Sequence, residues 1–594
     1  MLKVLYLTAE LPYFPGQGGL MNLLIRHLAA AGQVGIVGPQ YGHQPAVAVA
    51  ELRRQVTASH VWPEPAKPGQ LPHTPDLRVR ARPWLLHLPV GVRRALLNHA
   101  LGLHQHPPES LAWLAVLNNL APHLLEAIRT RRWHAVLLSQ STSAIWEQVL
   151  PASVARCVYF HDIRSDYLGC PGSNAGSARD CRRRRREERD LLARVDTAAF
   201  VSSLDQKRAR RLLQPKCVTG VVPVCVDSDY FQFAPPRAGD GRGEVVLFTG
   251  HLSHPPNIDA ALFLLREIWP LVLAQRPNAI CRIAGHAPAA PVSEAARTTR
   301  NTELAANVSD IREEFRRSRV FVVPMRFGGG VRQKILEAWA CGIPVVTTTM
   351  GAEGIESLGA ANSQIADDPS SFAQAIIRLL DDAPRAGMTE RARAIVAEEH
   401  GPAKSGPLLA DLITTAVRHR RAAPAKVLFD LRWMEIGKAG GIEQMTHELV
   451  GEIANVDHTN EYRFLGPRKT CLEWDLPRHF KAKFEFTDGL ARHWAALRDQ
   501  VATDLAQSLA LPPLTSPALT ALKRYQQLDF TVVHSLPSYT HPDLLGFPSV
   551  LTMHDLQHLH LPEFFSKEDI ATRERHYRDS CATADRIICV SEFT

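Results

Sequence analysis

The sequence is poor in the features that mark secreted, membrane-spanning or metal-stapled chains. Ten cysteines are spread over 594 residues, all between Cys157 and Cys589, and none forms a C-x-x-C pair or a metal-ligand cluster. That argues against a disulfide framework or a cysteine zinc site, and leaves reduced thiols in cores and loops. No apolar run reaches the ~20 residues of a membrane-crossing helix. The opening Met1-Leu-Lys-Val-Leu-Tyr-Leu-Thr lacks the small-residue cleavage site of an export signal and reads as a first β-strand. Charge of one sign is also scarce: 68 basic against 60 acidic residues give a net +8. This mild excess suits an anionic substrate or a membrane surface and does not require nucleic acid.

What is present is ordinary globular material. Hydrophobic residues are 45% and charged residues 22%, which excludes wholesale disorder. At ~150 residues per domain the length predicts about four domains. Short Val/Leu/Ile runs read as buried parallel strands: Val34–Val37, Ala135–Leu138, Val245–Thr249, Val320–Val323 and Val345–Thr347. Helical patterns at Leu20–Ala31, Ala260–Gln275 and Gln333–Ala340 alternate with them. The fold class expected is therefore α/β, with doubly wound, Rossmann-like parallel sheets.

The chain also repeats itself. Lys3-Val-Leu-Tyr-Leu with Gly18-Gly19, Val158-Tyr-Phe-His161-Asp162 and Val195–Ser202 recur in order as Lys426-Val-Leu-Phe-Asp with Gly440-Gly441, Leu551-Thr-Met-His554-Asp555 and Ala584–Ser591. The spacing of roughly 400 residues is too long for a solenoid and indicates a duplicated, enzyme-sized unit. Three units are expected: 1–240, 241–421 and 425–594. The first boundary is the Pro/Gly-rich stretch after Phe233, and the second lies at Ala422-Ala-Pro.

Gly18-Gly19, after a strand and before a helix, lets backbone approach a ligand and offers free N–H groups to an anion. Gly440-Gly441 repeats the arrangement. His161 and His554 end predicted strands, where open α/β sheets place ligands. The densest signal is Val322-Val-Pro-Met-Arg326-Phe-Gly328-Gly329-Gly330-Val-Arg332-Gln-Lys334-Ile-Leu-Glu337-Ala-Trp-Ala-Cys-Gly342-Ile-Pro344. Its glycines and helix start suit a phosphate. Arg326, Arg332 and Lys334 add positive charge. Glu337 is placed to accept hydrogen bonds from vicinal hydroxyls.

This stretch resembles the E-x7-E region of family 4 nucleotide-sugar glycosyltransferases, which have the GT-B fold. The resemblance covers about residues 1–420 and again 426–594. It implies two facing domains, acceptor-side and donor-side, followed by a third domain of the N-terminal type. Gly250-His251 and the following loop to Asn257 resemble the opening of the donor domain, and Gly351-Ala-Glu353-Gly resembles a donor-side loop. By resemblance, Glu337 holds the nucleotide ribose and His161 contacts the transferred sugar; Lys334 is expected to act with them in catalysis. Donor binding falls to Gly18, Gly19, Gly250, His251, Arg326, Gly328, Gly329, Gly330, Arg332 and Glu353, with Gly440, Gly441 and His554 as second-unit candidates. The sequence departs from the family at three positions. Gly329 stands in place of the first glutamate, and His251 and Asn257 in place of the phosphate-binding arginine and lysine. The expectation is that positive charge has moved to Arg326, Arg332 and Lys334.

The implied activity is retaining transfer from a nucleoside diphosphate sugar to a hydroxyl of a glycan or lipid-linked acceptor, in surface polysaccharide or lipopolysaccharide assembly. The family needs no metal for the diphosphate, in keeping with the lack of a suitable D-x-D motif; no cofactor is expected. A nucleotide-sugar epimerase and a non-catalytic carbohydrate-binding scaffold remain open as alternatives. The second unit lacks a donor-side domain, which reads as truncation of a longer tandem enzyme or as an acceptor module. A cytoplasmic location is expected, with peripheral contact at the inner face of the membrane as an option. The Arg182–Arg186 run and the segment from Trp84 to Leu101 fit either that contact or ordinary helix faces.

Overall fold

The computed structural model describes the chain outside residues 1, 8–23, 41–57, 64–120, 129–132, 140–149, 168–177, 233–242, 382–384, 435–440, 473–475, 488–521, 591–594 and isolated positions. Among the described residues nineteen strands form three fully parallel sheets. The first joins β1 (Leu2–Leu7), β2 (Gly32–Gln40), β3 (Ala58–Pro63), β4 (Ala135–Ser139), β5 (Ala155–Phe160), β6 (Thr197–Phe200) and β7 (Val218–Val221) in the order β3-β2-β1-β4-β5-β6-β7. The second joins β8 (Val245–His251), β9 (Ile280–His286), β10 (Thr302–Ala306), β11 (Val320–Val323), β12 (Val345–Thr347) and β13 (Ser363–Ile365) as β10-β9-β8-β11-β12-β13. The third joins β14 (Lys426–Asp430), β15 (Glu461–Gly466), β16 (Ala482–Phe486), β17 (Val532–Ser535), β18 (Ser549–Met553) and β19 (Arg586–Cys589) as β16-β15-β14-β17-β18-β19.

All three sheets thus share one winding order, third-second-first-fourth-fifth-sixth. The fold is α/β, as the apolar runs imply, and GT-B-like, as the resemblance implies. β4, β5, β6 and β11 are buried at every position because both faces are covered, which is why they read as largely apolar runs, with Ser139 and Thr197 polar at the ends of β4 and β6. Arg156 is the exception inside β5. Its guanidinium donates to Leu150 O at 2.9 Å, and its N–H donates to Asp196 Oδ2 at 2.8 Å.

His161 follows the fifth strand of the first sheet, and His554 follows the fifth strand of the third. The first and third sheets therefore agree in winding order and in the place of these histidines. One difference is β19. Its apolar sequence reads as a buried strand, yet all four residues are exposed. Its counterpart β6 is covered by β7 and by a long helix, and among the described residues nothing equivalent lies on β19.

The first and second sheets are tied by backbone and by packing. After the second sheet the chain returns to the first through the helix Pro402–Ala422, which lies on β4–β7. Leu412 fills the space beside Gly220, where a Cβ would come within 2.7 Å of its side chain. Ser405 Oγ donates to Pro223 O at 2.8 Å, and Arg420 donates to Asp196 Oδ2 at 2.8 Å. Apolar residues of both sheets and of this helix, among them Val4, Phe248 and Leu409, form one continuous core.

The expected helix Ala260–Gln275 is instead Pro255–Phe263, a π-helical turn Leu264–Ile268, and Trp269–Gln275. The wide turn falls just before Pro270, whose missing N–H breaks the regular ladder.

Candidate functional site

The carboxyl ends of the first two sheets face each other, and there the Gly328–Gly330 loop meets His161. Five helices bear on the site: α1 (Arg164–Tyr167), α2 (Ala178–Leu192), α3 (Ser203–Leu212), α4 (Pro255–Phe263) and α5 (Gln333–Ala340). Gly330 has φ +70° and Gly328 φ +137°, a region that favours glycine. A Cβ on Gly330 would lie 2.2 Å from His161 O, so the glycine loop abuts the end of β5 directly. Gly354, at φ +82°, packs beside Ser202 in the same way, with a Cβ position 3.3 Å from Ser202 Oγ.

α5 carries Lys334 and Glu337 one turn apart. The Lys334 ammonium donates to Thr249 O at 2.6 Å and to Asn257 Oδ1 at 2.9 Å, and lies 4.7 Å from the Phe248 ring centre. Burial, reinforced by the nearby Arg332 charge and opposed by Glu337, pushes its pKa down to about 7. Glu337 is buried, and burial pushes its carboxyl up to about 7 against the pull of Lys334 and of Gln333, whose amide donates to it at 3.1 Å. Lys334 thus brings an ammonium to the side chain of Asn257, the position at which the resemblance expects a lysine.

Arg332 and Arg326 have other immediate tasks. Arg332 is 7% exposed; its guanidinium turns back to donate to Gly330 O at 2.8 Å and to Gly329 O, bracing the glycine loop from behind. Arg326 donates to both oxygens of Asp259 on α4, at 2.9 and 2.5 Å, and lies 4.6 Å from the Phe263 ring centre. Of the three expected cations, Lys334 is the one whose charge acts on Glu337.

His161 is half-buried, with its ring 5.1 Å from that of Tyr159. Burial pushes its pKa down to about 4; Asp162 opposes this and Arg164 adds to it. The imidazole is therefore neutral near pH 7 and fitted to hydrogen bonding rather than to carrying charge. Gly250 is paired with Gly285 in the sheet, so close that a Cβ on Gly285 would reach Gly250 O. His251 is exposed, its Nδ1 2.9 Å from Ser253 Oγ, and its ring faces His286 at 5.4 Å.

Glu353 reaches across the cleft. Arg208 on α3 donates to both of its oxygens at 3.0 and 2.9 Å, and lies 3.1 Å from Asp166 on α1. The sequence reading missed Arg208, which had no motif to mark it. It also missed two buried carboxyls behind the site. Asp205 is pushed up to about 6 by burial, against the Ser202 hydroxyl that donates to it at 2.5 Å. Glu188 is pushed up to about 7 by burial, against the Ser165 hydroxyl at 2.5 Å.

In the third sheet, His554 Nε2 is 2.5 Å from Leu536 O, and its N–H donates to Ser538 Oγ at 2.9 Å. Gly441 opens the helix Gly441–Val456. Gly18, Gly19, Gly440 and the Trp84–Leu101 segment lie outside the described residues. Arg182–Arg186 lies on α2, where Arg183 and Arg184 pair with Glu187 at 3.7 and 2.9 Å. Among the described residues no helix is long and apolar enough to cross a membrane, and no group of three His, Cys, Asp or Glu is placed to hold a metal.

Four similarities to known proteins are found. The chain is 28% identical over 139 residues to an uncharacterized 44.6 kDa protein in the cps region of Klebsiella pneumoniae; the match covers 22% of this chain and 36% of that relative. Among solved structures it resembles sucrose-phosphate synthase from Thermosynechococcus elongatus (16% identity, 70% of this chain, 98% of that one, TM-score 0.48). It also resembles Anabaena HepE solved with UDP and glucose (14% identity, 70% of this chain, 100% of that one, TM-score 0.48). Residues 243–382, which hold the glycine loop, Lys334, Glu337 and Glu353, match the model of the family described as Glycosyl transferases group 1.

Proposed function

We propose that the chain is a retaining glycosyltransferase that moves a sugar from a nucleoside diphosphate sugar to a hydroxyl of a glycan or lipid-linked acceptor. The observation that carries this reading is the meeting of His161 with the Gly328–Gly330 loop, beside Lys334 and Glu337 on one helix turn. The match of residues 243–382 to the group 1 glycosyltransferase family supports it. The relative in a cps region supports a setting in surface polysaccharide or lipopolysaccharide assembly.

In this reading the diphosphate lies over the glycine loop with Lys334 against it, and Glu337 accepts hydrogen bonds from the ribose hydroxyls. The C1–O bond to the diphosphate breaks, the acceptor oxygen bonds to C1 on the same face, and the acceptor proton leaves with the nucleoside diphosphate. Lys334 offsets charge growing on the leaving phosphate. Neutral His161 hydrogen-bonds the transferred sugar. Closure of the two domains excludes water. No metal is needed, because Lys334 and the loop N–H groups supply the positive charge. The third sheet is a second copy of the acceptor-side domain, which its winding order and His554 support. The location is cytoplasmic, with peripheral contact at the inner face of the membrane.

The altered donor positions, Gly329, His251 and Asn257, favour a second reading: a carbohydrate-binding scaffold that turns over no donor. Incubation with UDP-, GDP- and dTDP-sugars, an acceptor glycan and EDTA separates these. Release of nucleoside diphosphate that depends on acceptor supports transfer, and NMR of the new anomeric proton reads retention. Glycan binding with no nucleotide release supports the scaffold. A new nucleotide sugar formed without acceptor indicates an epimerase.

A further inference from the structure

A cavity of about 490 Å³ lies at the junction of the first sheet, the third sheet and the segment that joins them. It sits at the amino-terminal ends of the strands: Lys3 and Leu5 in β1, His134 before β4, Thr531 before β17, Pro548 before β18. The glycine loop and His161 lie at the opposite, carboxyl ends. The cavity is therefore separate from the site described above, and its volume falls in the range of small-molecule sites.

Its lining is two-sided in chemistry. Trp133, Ile128, Val154 and Phe547 give it apolar walls. Trp133 is fixed by donating its indole N–H to Ala127 O at 2.9 Å, and Phe547 is buried in a core shared by the first and third sheets. Against these walls stand Lys3, Arg420 and Arg421, with Asp585 the lining carboxylate. Arg420 is committed to Asp196 at 2.8 Å. Among the described residues neither Lys3 nor Arg421 has an acidic partner. His134 reports this unbalanced charge. Burial lowers its pKa first, and the Arg421 and Lys3 charges lower it further. Its Nδ1 accepts the Lys3 N–H at 3.2 Å, so the neutral ring carries its proton on Nε2 and keeps that donor for another partner.

We propose that this cavity binds an anionic amphiphile of the alkyl monophosphate class, its head held by Lys3, Arg421 and His134 Nε2–H and its chain lying on Trp133 and Phe547. The segment Arg420–Ala425 forms one wall; it comprises the end of the helix that runs back from the second sheet and the link that follows it. A ligand here braces that helix and the third sheet against the first, far from any donor.

The test is calorimetric titration of the full chain with octyl phosphate, octanol and inorganic phosphate. The expected result is one equivalent of octyl phosphate, bound at least tenfold more tightly than either of the others. Arg421→Glu and Lys3→Glu each weaken it at least tenfold. Arg186→Glu on α2 and Lys334→Ala leave it unchanged. Thermal melts confirm that each variant folds, and the exposed Arg421 makes its substitution the safer of the two. Octanol binding as tightly as octyl phosphate removes the role of the charge, and inorganic phosphate doing so removes that of the apolar walls. Either result overturns the proposal, as does unchanged affinity in both charge variants of the cavity.

Discussion

Gly330 and His161 belong to different sheets, yet a Cβ on the glycine would sit 2.2 Å from the histidine's carbonyl oxygen. No rotamer change relieves such a clash, because the backbone fixes the Cβ position and its partner is a backbone carbonyl oxygen. The φ of +70° adds strain for any other residue, of order 1–3 kcal/mol. Gly330→Ala is therefore expected to push the loop away from β5 and weaken donor binding at least tenfold. Gly359→Ala, where no atom lies within 4 Å, is the matched control and leaves binding unchanged. Donor titration of the two variants checks this.

Arg208 and Glu353 form a two-pronged ion pair across the cleft, with side chains 20% and 23% exposed. Partial exposure discounts the charge energy, so a double-mutant cycle with Arg208→Ala and Glu353→Ala should give a coupling of about 0.5–1 kcal/mol in stability. The larger effect is expected on domain closure. Small-angle scattering should show Arg208→Ala more open than the wild type, and its KM for donor should rise more than its kcat falls.

Donor affinity should depend on pH through the pair on α5. Lys334 is cationic below about 7 and loses its charge above it, and Glu337 becomes a full hydrogen-bond acceptor only above about 7. A bound diphosphate favours the charged lysine, so affinity falls as pH rises from 7 to 9. Ribose binding favours the carboxylate, so affinity also falls from 7 to 5. Calorimetry across this range should give a maximum near pH 7. Glu337→Gln should remove the low-pH limb and keep the high-pH one.

His161 stays neutral through that whole range because burial holds its pKa near 4. His161→Ala should therefore lower turnover by roughly 100-fold, the scale of losing one hydrogen-bond donor to a transition state. Its pH profile should keep the wild-type shape, since the ring titrates below the window. Steady-state kinetics at pH 6, 7 and 8 checks both statements.

Much of this was readable in advance because it is local. Buried parallel strands announce themselves as apolar runs, and β11 and β12 fall at the residues their sequence indicates. The Gly328–Gly330 loop, Lys334 and Glu337 lie within ten residues of one another, so one motif carried them all. The pairing of Arg208 with Glu353 was not readable, since 145 residues separate the partners and only the facing of two sheets joins them. The inward turn of Arg332 was hidden for another reason. A basic residue beside glycines suggests an anion, but the loop's own carbonyls compete for it and are nearer. Arg326 was drawn off by Asp259, on a helix 67 positions earlier in the chain.

The most direct test is calorimetric titration of the full chain, wild type and Lys334→Ala, with UDP-glucose, GDP-mannose and dTDP-glucose. The account predicts that at least one donor binds the wild type with one-to-one stoichiometry. It also predicts that Lys334→Ala, still folded by thermal melt, binds that donor at least tenfold more weakly. Equal affinity in the two proteins, or no binding of any nucleotide sugar to the wild type, would contradict it.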